Sequence, residues 1–186
     1  MFIGVTGKIA SGKTEVLKLL EKRNFYVIDA DKIVHKLYSS GGKAVKKIEK
    51  AFGPDFITSA GFVNRRSLRN LVFNNPSYLK KLNSLMWPIV VAEIRKIYRL
   101  HENLAVEAIS LDHAFFRKNL DLVIWVERSS GKRKSILMKL RSFDFGLAGR
   151  ALNLSTKPLF YGEKLRILEN DASIFALGRK LDELLA

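Results

Sequence analysis

The sequence predicts an α/β fold: a five-stranded parallel sheet with helices on both faces. Three observations carry that expectation. Short apolar runs of strand length recur along the chain, with helically spaced stretches between them. The first run leads straight into Gly7-Lys8-Ile9-Ala10-Ser11-Gly12-Lys13-Thr14, which fits G-x-x-x-x-G-K-[ST]. The residues that follow, Thr14 to Leu20, have helical spacing. Strand, glycine loop and helix in that order grip the phosphates of a nucleotide, so the class sharpens to a three-layer fold of P-loop NTPase type.

The elements follow in order. Met1 to Val5 reads as a buried strand and Phe25 to Asp29 as a second one. The second ends in Asp29-Ala30-Asp31, before a helical segment from Lys32 to Tyr38. Ser39-Ser40-Gly41-Gly42 is a breaker. Lys43 to about Arg99 is mainly helical, with Asn75-Pro76 as N-cap and first helical residue, and Pro88 is expected to kink or interrupt that helix. Leu104 to Ala108 reads as the third strand, Leu122 to Val126 as the fourth and Leu165 to Leu168 as the fifth. An amphipathic helix from about Ser173 to Leu185 closes the chain. Gly131 to Arg141 is basic, and Ser142 to Tyr161 is weakly periodic. The excursion between the second and third strands is too long for a plain crossover and is expected to form a subdomain over the substrate site. The basic segment between the fourth and fifth strands sits where a lid would be useful.

Composition bounds the rest. The 186 residues fit one compact domain, or one with small insertions, and 47% hydrophobic residues support a substantial core. The absence of cysteine excludes disulfides, thiolate metal sites and a cysteine nucleophile. The N-terminal apolar run is short, lacks a basic flank and contains the loop, so it is not read as a signal peptide. No apolar segment is long enough to span a membrane, and a cytoplasmic protein is the simple expectation. The net charge of +15 calls for anionic partners, either a polyphosphate substrate or nucleic acid. The basic residues are spread along the chain and no common nucleic-acid motif is evident, so nucleic acid is not the expected partner. Oligomeric state is left open by the sequence.

In the loop, Gly7 and Gly12 permit backbone angles that let successive N–H groups curl around anionic oxygens. Gly7, Ala10, Ser11, Gly12, Lys13 and Thr14 form the candidate ATP-binding set. Lys13 is placed to reach the β- and γ-phosphates, and the Thr14 hydroxyl to ligate Mg²⁺. Asp29 and Asp31 lie at the end of the second strand, where α/β sheets open to their ligands. A carboxylate there could take the proton of an attacking hydroxyl, and Asp31 is the better candidate because it lies further beyond the strand. The alternative for Asp31 is an ordinary helix N-cap. Glu107 ends the third strand and could hold Mg²⁺ through a water, orient Lys13, or be a plain strand-end residue. Arg65, Arg66 and Arg69 share a helix face and could clamp substrate phosphates, the alternative being a solvated face. His35, His101 and His113 show no metal-ligand spacing, and a surface or structural role is the expectation for each; His35 also joins Asp29, Asp31 and the three arginines in the candidate substrate-binding set. Trp87 and Trp125 sit in apolar runs and read as core.

Taken together, Ile3 to Thr14, Val27-Ile28-Asp29-Ala30-Asp31, Phe52-Gly53, Asn64-Arg65-Arg66-Ser67-Leu68-Arg69 with Val72-Phe73, Leu82-Asn83, Glu107-Ala108, Leu120-Asp121 and Leu168-Glu169-Asn170 resemble the dephospho-CoA kinase family over nearly the whole chain. The resemblance implies transfer of the ATP γ-phosphate to the ribose 3′-hydroxyl of dephospho-CoA, with ATP, Mg²⁺ and dephospho-CoA as ligands. It implies a core of residues 1–30, 104–128 and 162–186, a helical CoA-binding subdomain over about 31–103 and a lid over about 129–161. It gives Lys13 and Asp31 the catalytic roles and Asn170 a place near the adenine pocket. The chain departs from the family pattern at Trp87-Pro88, usually His-Pro, and at Ile109 to His113. It departs again in the lid, where Gln and two Arg align with Lys132, Ser135 and Lys139, and at Leu154 and Lys164-Leu165. Lys139 or Arg141 would then stand in for the lid arginine toward ATP, as point charge or fork respectively. Two alternatives follow from those departures: a homologue that binds nucleotide and CoA-like ligands but transfers phosphate poorly, and a kinase for another nucleoside or nucleotide.

Overall fold

Strand β1 (Phe2–Gly7) is buried along its whole length, which is why its sequence is apolar on both faces rather than alternating. The computed structural model describes residues 1–73, 75–108, 110–140, 158 and 161–186. β1 sits at the centre of a five-stranded parallel sheet of order β2-β3-β1-β4-β5, with β2 at Tyr26–Asp29, β3 at Leu104–Glu107, β4 at Leu122–Glu127 and β5 at Leu165–Glu169. Ile3 lies beside Ala105 on one side and Leu122 on the other, and Trp125 lies beside Ile167. This parallel register brings the carboxyl ends of the strands, Gly7, Glu107, Glu127 and Glu169, to one edge. The chain leaves β1 toward one half of the sheet and returns from β3 to the other half. The end of β1 is therefore a topological switch point, where such sheets bind ligands.

The chain divides into two compact units, Met1–Ile28 with His101–Ala186, and Asp29–Leu100. In the first, Ile3, Val5, Ile124 and Val126 pack with Val16, Leu17 and Leu20 of α1 (Lys13–Glu21). Leu177 and Leu181 of the C-terminal helix complete that layer. On the opposite face Phe2 meets Phe115 and Phe116 of a short helix, Ala114–Asn119, at ring distances of 6.1 and 6.5 Å. Gly4 is on this second face, where Leu111 and Leu120 leave no room for a side chain: a Cβ would stand 2.6 and 2.8 Å from their methyls. The Tyr161 hydroxyl is buried and donates to the Leu111 carbonyl. Burial, with Asp112 nearby, pushes it up to about 12, so it stays a donor at neutral pH.

The second unit is helical: α2 (Ala30–Leu37), α3 (Val45–Phe52), α4 (Arg65–Phe73) and α5 (Pro76–Tyr98). Completing the helix numbering in chain order, the Phe115 helix is α6, Ser130–Leu140 is α7 and Ile174–Leu185 is α8. Asn75 caps α5 by accepting from the Ser77 N–H at 3.1 Å, with Pro76 as its first residue. Contrary to the interruption expected at Pro88, α5 continues through it to Tyr98. An interior proline costs roughly 3 kcal/mol. Ile89, Val90, Val91 and Ile94 beyond it are all buried, at roughly 1.5–3 kcal/mol each, and that outweighs the lost bond. Trp125 is core as expected, whereas Trp87 is only half-buried. Among the described residues no helix is long and apolar enough to cross a membrane.

We predict that Gly4→Val lowers stability by about 1–3 kcal/mol through overpacking. Denaturant melts should show a lower midpoint with an unchanged slope; an unchanged midpoint would mean that the space beside Gly4 is not filled.

Candidate functional site

The loop after β1 is shaped before any ligand arrives. The Ser11 N–H donates to the Lys8 carbonyl at 3.2 Å, which closes a turn. Ala10 is held at φ 59°, in the left-handed region that costs a non-glycine residue about 1–3 kcal/mol. Such alternation turns consecutive N–H groups toward a common centre. Where α2, α5, α6 and α8 start on side-chain caps, α1 starts on Gly12, at φ 100° and with no side-chain cap. The first N–H groups of α1 thus keep their capacity for an anion.

Lys13 curls back over the loop. Its Nζ lies 3.3 Å from the Gly7 carbonyl, 3.4 Å from that of Lys8 and 3.8 Å from Glu107 Oε1. Glu107 is thereby within ion-pair distance of the Lys13 ammonium. Thr14, the second residue of α1, is exposed. The Ser11 hydroxyl is fully buried and, among the described residues, has no hydrogen-bond partner, which costs about 1–3 kcal/mol in a protein interior.

A second set of contacts holds the loop from the β5 side. Asn170, buried just past β5, donates its side-chain amide to the Ser11 carbonyl at 3.0 Å. Its own N–H donates to the Glu127 carbonyl at 2.7 Å, and the Arg128 Nε donates to the Asn170 carbonyl at 2.8 Å. The Ser129 hydroxyl donates to Asp171 at 2.8 Å, and the Ser129 N–H reaches the same carboxylate. Those bonds hold the Asp171 carboxyl below its usual range. Lys132 reaches the Asp171 carbonyl, and Arg133, buried, donates from Nε to the Arg128 carbonyl at 3.0 Å. Burial lowers the Arg133 pKa, though a guanidinium remains charged at neutral pH.

In the helical unit, the two aspartates have separate environments. Asp29 is the N-cap of α2, its Oδ1 accepting from the Asp31 N–H at 2.9 Å and the Lys32 N–H at 3.2 Å. The helix therefore begins at Ala30, two residues before the sequence expectation, and the capping role weighed for Asp31 belongs to Asp29. Asp31 is exposed in the first turn. Arg65, Arg66 and Arg69 line one pocket of about 470 Å³ with Tyr38, Leu68, Val72 and Leu82. The Arg65 Nη1 is 2.9 Å from His35 Nδ1. Burial raises the Tyr38 pKa, with Arg65 acting in the opposite sense.

Lys139 is exposed on α7, while Arg141 and Leu154 lie outside the described residues. Sequence reasoning passed over Tyr38, Arg128 and the bracing role of Asn170. A polar residue directly after a strand beside β1 was the available signal for Arg128. Among the described residues no group of three or more His, Asp or Glu could hold a metal ion. Thr14 and Glu107, the two candidate Mg²⁺ donors, lie at the start of α1 and the end of β3, the latter 3.8 Å from the Lys13 ammonium.

The family model "CoaE: Dephospho-CoA kinase" matches residues 1–133. A dephospho-CoA kinase of Nitrosospira multiformis is 33% identical over 138 residues, covering 73% of this chain and 69% of the relative. One of Lactobacillus johnsonii is 30% identical over 191 residues, covering 99% and 96%. The solved structure of TT1252 from Thermus thermophilus aligns with a TM-score of 0.76 at 24% identity, covering 100% of this chain and 96% of that one. That likeness concerns the fold.

We predict that Asp29→Ala lowers stability by about 1 kcal/mol through loss of the α2 cap. Loss of turnover with unchanged melting would instead assign Asp29 to a ligand.

Proposed function

The chain belongs to the dephospho-CoA kinase family, and from that premise we propose that it transfers the γ-phosphate of ATP to the ribose 3′-hydroxyl of dephospho-CoA, giving CoA. The observation that carries the reading is the preformed phosphate loop, with Lys13 folded over it and the Ser11 hydroxyl buried beside it. A phosphate oxygen in the loop would relieve that hydroxyl and fill the N–H groups of α1. In this reading the enzyme works in the cytoplasm on ATP and dephospho-CoA.

The acceptor O3′ forms a bond to the γ-phosphorus as the bond from that phosphorus to the bridging oxygen of ADP breaks. Asp31 takes the proton of the hydroxyl. Lys13 meets the charge that develops on the transferring group, and Glu107 keeps its ammonium in position. Mg²⁺ accompanies ATP here; Thr14 and Glu107 are the donors that would hold it, and it would supply neutralisation of phosphate charge. Arg65, Arg66 and Arg69 supply a second site for anions, which in this reading takes the pyrophosphate of the acceptor, with the Tyr38 hydroxyl as an uncharged donor.

The test is incubation with ATP, Mg²⁺ and dephospho-CoA, read as CoA formed. Lys13→Ala and Asp31→Asn should each lower turnover on the order of 10²–10⁴-fold. Unchanged turnover in Asp31→Asn would remove it as the base. Arg66→Ala should raise KM for dephospho-CoA about tenfold or more while KM for ATP stays put. Tight binding of both ligands with no product would identify a homologue that has lost transfer.

A further inference from the structure

The two flanks of the phosphate loop differ. On the β3 flank stand the Lys13 ammonium and Glu107, which mark the reacting end of a bound triphosphate. On the β4–β5 flank stand Asn170 and Arg128. Arg128 Nη2 lies 3.1 Å from the point where a Cβ on Gly12 would stand, so the guanidinium lies against the last glycine of the loop. Its Nε is spent on the Asn170 carbonyl, and Arg133 holds the Arg128 carbonyl. The group is thus fixed at both its backbone and its head. Among the described residues no hydrogen bond engages its two terminal nitrogens.

We propose that Arg128 is a nucleotide-binding residue that packs its planar cation against the base of the bound purine nucleotide. With the terminal phosphate on the Lys13 flank, the nucleoside must leave the loop on the other side, where the ends of β4 and β5 meet. Arginine suits that place: its flat, weakly hydrated cation stacks on an aromatic face, and immobilisation through Nε means little entropy is lost when it does. Nothing in the phosphate motif itself requires an arginine at this position. The inference rests on the ATP-binding reading above and adds a residue to it.

The test measures binding directly, without turnover. A fluorescent ADP analogue is titrated into the wild-type chain and into Arg128→Ala and Arg128→Lys, and displaced with ADP, ATP or inorganic tripolyphosphate. Failure of the wild type to bind any of them would sink the nucleotide-binding reading itself. If the wild type binds, Arg128→Ala should weaken ADP and ATP alike, by about 5- to 30-fold, and leave tripolyphosphate displacement within twofold. Arg128→Lys keeps a cation but no plane and should recover less than half of that loss; it also serves if the alanine variant does not fold. Wild-type affinity for ADP in either variant overturns the proposal. So does an equal loss for tripolyphosphate, or a loss accompanied by a matching drop in melting temperature, since either would make Arg128 a brace for the loop.

Discussion

The bond from the Asn170 amide to the Ser11 carbonyl is the contact on which the site depends. A phosphate loop works by presenting N–H donors that are already aimed, because aiming them at the moment of binding would cost about 1–2 kcal/mol per residue fixed. The loop here carries a non-glycine residue in the left-handed region and a buried hydroxyl that has no partner among the described residues. Both are unfavourable, and a free loop would relax away from them. Asn170 prevents that by holding a loop carbonyl from a position that is itself fixed to the end of β4. Gly12 is required for the same reason, since the Asn170 amide occupies the space that a side chain there would need.

That brace exists only because of the sheet order. β5 lies next to β4, and β4 next to β1, so the residue after β5 can reach the loop after β1 across a single intervening strand. The parallel register places all these strand ends at one edge, and the core below makes the edge rigid. Ile3, Val5, Ile124 and Val126 are fully buried, and at roughly 1.5–3 kcal/mol per side chain they secure the strands far more strongly than the few polar bonds above them. Division of labour follows: the apolar layers fix where the strand ends are, and the polar contacts decide what the loops between them do.

What was legible in the sequence divides along the same line. The five strands were readable because buried parallel strands are short, nearly continuous apolar runs, and the loop was readable because its spacing is dictated by phosphate geometry. Asn75-Pro76 was readable as a helix start because cap and proline are local signals. The course of α5 through Pro88 was not, since residues buried after the proline decide it. Nor was the assignment of Asp29 as cap and Asp31 as exposed first-turn residue, because two aspartates two positions apart satisfy the same local rule. Asn170 and Arg128 are the clearest cases. Their partners are distant in sequence, at Ser11 and Gly12, so no local pattern could join them.

The start of α7 and the start of β5 carry basic side chains whose described contacts are with the framework of the sheet. Lys132 reaches Asp171 with both an ion pair at 3.7 Å and a bond to its carbonyl. Lys164, before β5, donates to the Leu120 carbonyl at 2.8 Å. Arg133 is buried, and a guanidinium is taken out of water only at considerable expense unless its surroundings are built to receive it. The Lys132 and Arg133 bonds join the start of α7 to the residues around Asn170, at the edge that carries the phosphate loop, whereas the Lys164 bond ties the start of β5 to the residue just before β4 at the opposite edge. The start of α7 is accordingly part of the support behind Asn170 and, through Asn170, behind the phosphate loop.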